Sequence, residues 1–103
     1  MKQIERIREM EACLDMTAAA VGALSKALDQ YEAAQKSYKK LSDYYGSSRW
    51  MKDYEADEAG KLPKDLKRGV LSEDAVYDLI TENNALRIRM MKLLTRAMEQ
   101  NLL

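Results

Sequence analysis

The sequence YYGSSRWMKDYEADEAGKLPKDLKRGVLSEDAVYDL, from Tyr44 to Leu79, decides how this chain folds. It holds four of the six tyrosines, the only tryptophan, the only proline and three of the four glycines of a 103-residue chain. The sequences on either side are long, simple and helix-forming. We therefore expect this central segment (residues 44–79) to determine how two helices are joined, or how the protein binds a partner.

Residues 3–45 are predicted to form one long helix. Apolar residues recur every 3.5 residues, which is the repeat of a coiled coil, and we place heptad position a at Ile7. The resulting stripe, called here the first-helix seam, consists of Ile7, Met10, Leu14, Thr17, Val21, Leu24, Leu28, Tyr31, Gln35, Tyr38 and Tyr45. This phase predicts that Leu28 is buried and that its neighbour Asp29 is exposed.

A short helical connection is predicted over about residues 47–69. Ser47 or Ser48 can cap its first helix, and Gly60 can end that helix. Trp50 and Tyr54 are four residues apart and so share one helix face. Pro63 suits the first turn of a further helical piece that ends near Gly69.

The last helix is predicted over about residues 73–101. Ser72 is the expected N-cap, and Leu71 and Val76 have the spacing of a hydrophobic staple. If Tyr45 lies near Glu73 at the turn, antiparallel pairing of the two long helices places Gln35 opposite Asn83, and this polar pair would fix their alignment. The apolar seam of this helix runs through Val76, Leu79, Asn83, Leu86, Met90, Leu93 and Ala97.

These elements predict an all-α fold in one domain, residues 1–103. Its architecture is a long antiparallel helical hairpin or three-helix bundle with short helical segments in the connection. Because the first helix is longer than the last, its N-terminal end should overhang. Ile4, Ile7, Met10 and Leu14 would then be partly bare, which predicts a homodimer or a protein partner at that end.

Composition excludes most kinds of chemistry. There is no histidine, and the only cysteine is Cys13, so the commonest general base and the usual zinc ligands are missing. The acidic run Asp53, Glu55, Asp57 and Glu58 lacks the spacing of a calcium loop. We therefore expect no enzyme activity, metal or cofactor. No apolar run approaches the roughly 20 residues of a membrane-spanning helix, and we expect a cytoplasmic protein.

Two groups in the central segment are candidate site residues. Tyr44, Tyr45, Trp50 and Tyr54 form an aromatic cluster that either packs the turn of the hairpin or binds a peptide, and we favour packing. The second group is a candidate partner-binding surface, predicted to stay exposed: Asp57, Glu58, Lys61, Lys67 and Arg68. The acidic and basic runs of this group could also pair with each other.

The last helix supplies an alternative function. Arg87, Arg89, Lys92 and Arg96 make it locally basic and could bind phosphates of a nucleic acid. However, 17 basic residues are balanced by 17 acidic ones, so long-range attraction to nucleic acid is weak. We favour a solvated face, and a protein-interaction or accessory module over a nucleic-acid-associated protein. A small enzyme is the third and least favoured reading.

The central segment resembles a bacterial domain-of-unknown-function family numbered 4298. The resemblance rests on DYYGS (43–47), Trp50, DYEADEAGKLP (53–63) and DLKRGVLSEDAVYDL (65–79), and extends more loosely over the first helix. It implies a small helical bacterial protein. It implies no activity and no functional residues.

Overall fold

The computed structural model describes residues 2–100, which form three α-helices and one short 3-10 helix. Helix α1 is Lys2–Tyr45, α2 is Ser48–Glu58 and α3 is Ala75–Glu99, and the 3-10 helix is Gly69–Leu71. The described residues contain no strand. The all-α prediction is therefore confirmed, as are the two long helices joined by a connection with short helical segments. The predicted end of the last helix at residue 101 lies outside the described residues.

The described part of the chain divides into two units whose boundary, between Tyr38 and Lys39, falls inside α1. Residues 2–38 of the first unit are helical. The second contains the end of α1, the central segment and α3. The prediction of a single domain stays a prediction.

The first-helix seam is exposed over the N-terminal part of α1, and no residue of α1 is buried. Leu28 is 47% exposed, so the prediction that it is buried is wrong. A heptad stripe is buried only where another helix packs against it. An exposure near one half, as at Leu28, is typical of a helix side chain that nothing covers. Asp29 is exposed as predicted. The predicted exposure of Ile4, Ile7, Met10 and Leu14 is confirmed, at 50–60%.

The seam becomes half-buried from Tyr31 onward. Every a and d position from there to the end of α1 has reduced exposure, whereas most outward positions stay exposed; these positions are the seam residues Tyr31, Gln35, Tyr38 and Tyr45, and also Ser42. The heptad phase therefore agrees with the exposure pattern in this part of α1. These residues are half-buried and not buried, and the earlier seam, including Leu28, is exposed.

Helix α2 has the predicted caps at both ends. The Ser47 side chain accepts a hydrogen bond from the Trp50 amide at 3.3 Å. At the other end Gly60 has a φ of +70°, which glycine adopts without strain. The Gly60 amide donates to the Asp57 carbonyl and the Lys61 amide to the Ala56 carbonyl, the two bonds of a Schellman motif.

The helical piece predicted to run from Pro63 to Gly69 does not form. The chain instead makes a single turn, in which the Leu66 amide donates to the Pro63 carbonyl at 3.2 Å, and the 3-10 helix begins at Gly69. The Pro63 carbonyl accepts the amide three residues later and not the amide four residues later that an α-helix requires. The Arg68 side chain also donates to the carbonyl oxygens of Pro63 and Leu66, and these bonds hold the segment as a turn.

The start of α3 uses Ser72 as predicted, although the regular helix begins three residues later. The Ser72 backbone is extended, and its hydroxyl accepts from the Ala75 amide at 3.2 Å and donates to the Gly69 carbonyl at 2.8 Å. Asp74, directly before the helix, makes no capping bond with its side chain. Ser72 therefore performs the capping chemistry, and the 3-10 turn leads into α3 through it.

The buried residues lie at the start of α3 and just before it. Leu71 and Val76, the predicted hydrophobic staple, are 6% and 3% exposed, and they are the buried hydrophobic residues of the described chain. Asn83, a seam position of α3, is also buried. Further along, Leu93 and Leu94 are more than 60% exposed. The seam of α3 is thus covered near its N-terminal end and bare toward its C-terminal end.

Substitution of the cap should distinguish the roles of Ser72 and Asp74. Ser72→Ala removes the bond to the Ala75 amide and should lower the free energy of unfolding by about 1 kcal/mol. Asp74→Ala removes only a favourable charge near the helix N-terminus and should cost less, about 0.3–1 kcal/mol. Urea denaturation of both variants, followed by the fluorescence of Trp50, measures the difference. A larger cost for Asp74→Ala would show that Asp74 is the functional cap.

Candidate functional site

Three aromatic rings of the central segment pack together. Trp50 stacks on Tyr54, with 5.2 Å between ring centroids and 17° between ring planes. Tyr45, at the end of α1, meets Trp50 edge to face at 5.3 Å and 72°. Both geometries are favourable for aromatic pairs, and the spacing of Trp50 and Tyr54 along α2 produces the stack. The cluster joins the end of α1 to α2.

The polar edges of the same rings bond to the segment that starts α3. The Trp50 indole N–H donates to the Val70 carbonyl at 2.9 Å. The Tyr45 hydroxyl donates to the backbone carbonyl of Glu73, and the Tyr54 hydroxyl to the Glu73 carboxylate, both at 3.3 Å. Tyr45 and Glu73 are therefore close, which is the starting point that the predicted helix register assumed. The register itself, with Gln35 opposite Asn83, stays a prediction. All three rings are half-buried, and their hydrogen-bonding groups are used inside the chain.

Tyr44 belongs to a separate interaction. Its ring makes no stacking contact with the other three, and its hydroxyl donates to the Asp53 carboxylate at 2.5 Å. This hydrogen bond, together with burial and the charge of Asp53, raises the pKa of Tyr44 to about 12. The pKa of Tyr54 is also raised, chiefly by the negative charge of Glu58 and then by that of Glu73.

Arg68 fixes the loop between α2 and the 3-10 helix. Its guanidinium forms a salt bridge with Asp57 of α2 and donates to the carbonyls of Pro63 and Leu66. The side chain of Asp57 is only 19% exposed and that of Arg68 33%. The prediction that these two residues stay exposed is therefore wrong, because they pair with each other. The alternative prediction, that the acidic and basic runs pair, holds for them.

The rest of the predicted surface is exposed. Glu58, Lys61 and Lys67 are exposed, and so is Lys64, which lies on the same loop. None of these four residues forms a salt bridge within residues 2–100. The predicted charged surface thus consists of a half-buried ion pair that holds the loop and a set of exposed charges on the same loop.

The four basic residues predicted to form one face of α3 do not all lie on the same side of the helix. On an α-helix, Arg89, Lys92 and Arg96 follow one another at spacings of three and four residues and so share a side, whereas Arg87 lies about half a turn away from Arg96. All four side chains are exposed. The face available to a phosphate backbone therefore consists of three cations.

Three of the groups that hold the site could not be chosen from the sequence. These are the Asp53 carboxylate, the Glu73 side chain and the Val70 carbonyl. Asp53 is nine residues from Tyr44, a spacing that carries no signal across a helix break. A backbone carbonyl such as that of Val70 has no residue-type signature at all.

Removing the Arg68 side chain should loosen the loop. Arg68→Met leaves the half-buried Asp57 carboxylate without its partner and frees two carbonyls, which should cost about 1–3 kcal/mol of unfolding free energy. Lys67→Met, an equal charge change at the neighbouring exposed position, should stay within about 0.5 kcal/mol. Urea denaturation of the two variants tests this. Equal costs would mean that the Arg68 salt bridge adds nothing to stability.

High pH should break the bond between Tyr44 and Asp53. Because the folded pKa of Tyr44 lies above the ordinary value of 10, the bond contributes stability below pH 10 and loses it as the pH rises from 10 through about 12. Tyrosinate absorbance of the folded protein should therefore include a late step near pH 12 from Tyr44, beside the upward displacement of Tyr54. Tyr44→Phe should remove that late step, and Asp53→Asn should move it to lower pH. A late step that survives in Tyr44→Phe would assign it to another tyrosine.

Within residues 2–100, no helix is both long enough and apolar enough to cross a membrane. The same residues contain no cluster of three histidine, cysteine or acidic side chains that could hold a metal ion. Searches among curated proteins and among solved structures gave no match. The family described as "Domain of unknown function (DUF4298)" matches residues 7–93, which include α2, the connection and most of both long helices. The chain therefore belongs to the DUF4298 family.

Proposed function

We propose that this protein is a non-catalytic protein-interaction module of the cytoplasm, and that the loop after α2 is its contact surface. The partner offers an acidic surface to Lys61, Lys64 and Lys67, and Glu58 borders the contact. Cys13, the only cysteine of the sequence, is an exposed free thiol, which suits a reducing compartment.

The observation that supports this proposal is the salt bridge between Arg68 and Asp57. Connections between bundle helices usually take two to eight residues, so the central segment is much longer than a simple link requires. The segment is nevertheless ordered, because the side chains of Trp50 and Arg68 donate hydrogen bonds to backbone carbonyls within it, those of Val70 and Pro63. A loop held in this way displays its lysines with little conformational entropy left to lose on binding.

The two site tyrosines with displaced pKa values are not placed for catalysis. The pKa values of Tyr44 and Tyr54 are both raised. A general base or nucleophile needs a pKa near the working pH, so these tyrosines are displaced in the wrong direction for either role. Tyr44 and Asp53 are instead engaged with each other as structural partners.

Nucleic-acid binding is the second candidate, supported by the placement of Arg89, Lys92 and Arg96 on one side of α3. Three cations neutralise few phosphates, so such binding would be weak and would fall steeply with salt. The two candidates use different residues, which allows one set of variants to separate them.

The test begins with affinity capture from the native organism, followed by reconstitution with the purified partner. Lys61→Glu, Lys64→Glu and Lys67→Glu combined in one chain should weaken binding of that partner at least tenfold, with melting temperature nearly unchanged. The matched control carries the same three charge reversals at exposed lysines elsewhere, Lys26, Lys36 and Lys52, and should bind normally.

The remaining outcomes are equally informative. If both triple variants bind the partner as well as the parent protein does, the loop is not the contact surface. If neither set matters but Arg89→Glu with Lys92→Glu abolishes salt-dependent binding to duplex DNA or RNA, the nucleic-acid candidate replaces the proposal.

A further inference from the structure

The exposed part of the first-helix seam is the largest apolar feature of the first unit. It consists of six large side chains on one stripe of α1, each 47–61% exposed: Ile7, Met10, Leu14, Val21, Leu24 and Leu28. Ile4, beside this stripe, is 50% exposed. Isolated exposed aliphatic residues are ordinary, but a row of this length, interrupted only by Thr17, marks an interaction surface.

The 3.5-residue spacing of these exposed side chains indicates that their partner is a helix. A stripe repeating every 3.5 residues remains straight along a supercoiled helix, so the matching surface is another helix with the same repeat. The g positions beside the row are small, namely Cys13, Ala20 and Ala27, and they allow a second helix to approach closely. A helix with this repeat and these small flanks is present in every copy of the chain.

The flanking charges favour a second copy and fix its direction. In a parallel coiled coil, a g residue lies beside the e residue five positions later on the partner helix. Arg6 at g then meets Glu11 at e of the second copy, and symmetry makes this pair twice. The remaining e and g positions up to Ala27 are uncharged, so no like charges oppose one another. An antiparallel pairing would set g against g, and Arg6 would have no acid across the interface.

The area is sufficient for a stable pair. Seven aliphatic side chains at about half exposure offer roughly 700 Å² per copy, close to the roughly 800 Å² per partner of a standard interface. Seam positions from Tyr31 onward are already half-buried and are not required for this pairing.

We propose that a second copy of this chain covers the exposed part of the first-helix seam, forming a parallel, in-register two-stranded coiled coil over about residues 4–28. This self-association goes beyond the proposed function and uses a different unit from the lysine loop.

Sedimentation equilibrium of the purified full-length protein, kept reduced because Cys13 is exposed, tests the pairing. The parent protein should be a dimer at micromolar concentration. Leu24→Asp should shift it to a monomer, whereas Ala19→Asp, an outward position of the same helix, should leave it dimeric. Trp50 fluorescence verifies that the second unit of each variant remains folded. A parent protein that stays monomeric at high concentration would overturn the proposal.

Charge exchange tests the identity and the direction of the second helix. Arg6→Glu alone should weaken the dimer roughly tenfold, because two attractive pairs become two repulsive ones. Glu11→Arg alone should do the same. The two changes combined in one chain should restore the parent affinity, which requires that the helix opposite is a parallel copy of the same chain. A dimer sensitive to Leu24→Asp that shows no such rescue would refute the parallel register.

The two proposals can fail separately. Dimer formation is measured without any partner, so the loss of partner binding in the loop-lysine variant leaves the dimer test intact. Conversely, a monomeric parent protein that still binds its partner through Lys61, Lys64 and Lys67 would refute only the coiled coil. If Leu24→Asp removes the captured partner while the parent protein is monomeric, the seam binds a different protein and the self-association proposal is wrong.

Discussion

The second unit depends on the hydrogen bond from the Trp50 indole to the Val70 carbonyl. Trp50 lies on a short helix of 11 residues with no buried residue, and a helix of that length is marginal by itself in water. The indole fixes this helix against the 3-10 segment, and the edge-to-face contact of Trp50 with Tyr45 fixes it against the end of α1. The adjacent Leu71 and Val76 are buried where these elements meet the start of α3. The Trp50 side chain thus contributes an apolar ring that packs on Tyr45 of α1 and an indole N–H that bonds the 3-10 helix.

Charge has two separate uses in the connection. A half-buried pair needs a bonded partner for each ion, and Arg68 meets that need by bonding Asp57 together with two carbonyls. The exposed lysines have no such requirement, since water solvates them, and exposed ion pairs add little stability. Stability and recognition can therefore change independently within one short loop. A charge reversal at Arg68 would disturb the fold, whereas one at Lys67 would alter only the surface.

The elements of the fold that follow local rules could be predicted from the sequence. Ser47, Gly60 and Ser72 act through bonds to their own neighbours, so the sequence alone locates the ends of α2 and the start of α3. The heptad phase likewise agrees with the exposure pattern from Tyr31 onward. What could not be predicted depends on distant partners. The partial burial of Arg68 requires Asp57, 11 residues earlier. Whether a seam residue such as Leu28 is covered depends on a neighbouring surface, which periodicity does not encode.

One heptad repeat, interrupted by Thr17 and Gln35, runs through two different environments along the 44 residues of α1. From Tyr31 onward the seam is half-buried within the chain, so its apolar residues already stabilise the helix. Before that point the same repeat is exposed, and backbone hydrogen bonds alone give little stability to a long helix in water. Burial of Leu14, Val21 and Leu24 against a second helix would provide the missing apolar contact. Helix stability in the first unit and association of two chains would then depend on each other, because the residues that form the interface are the ones that the isolated helix leaves in water.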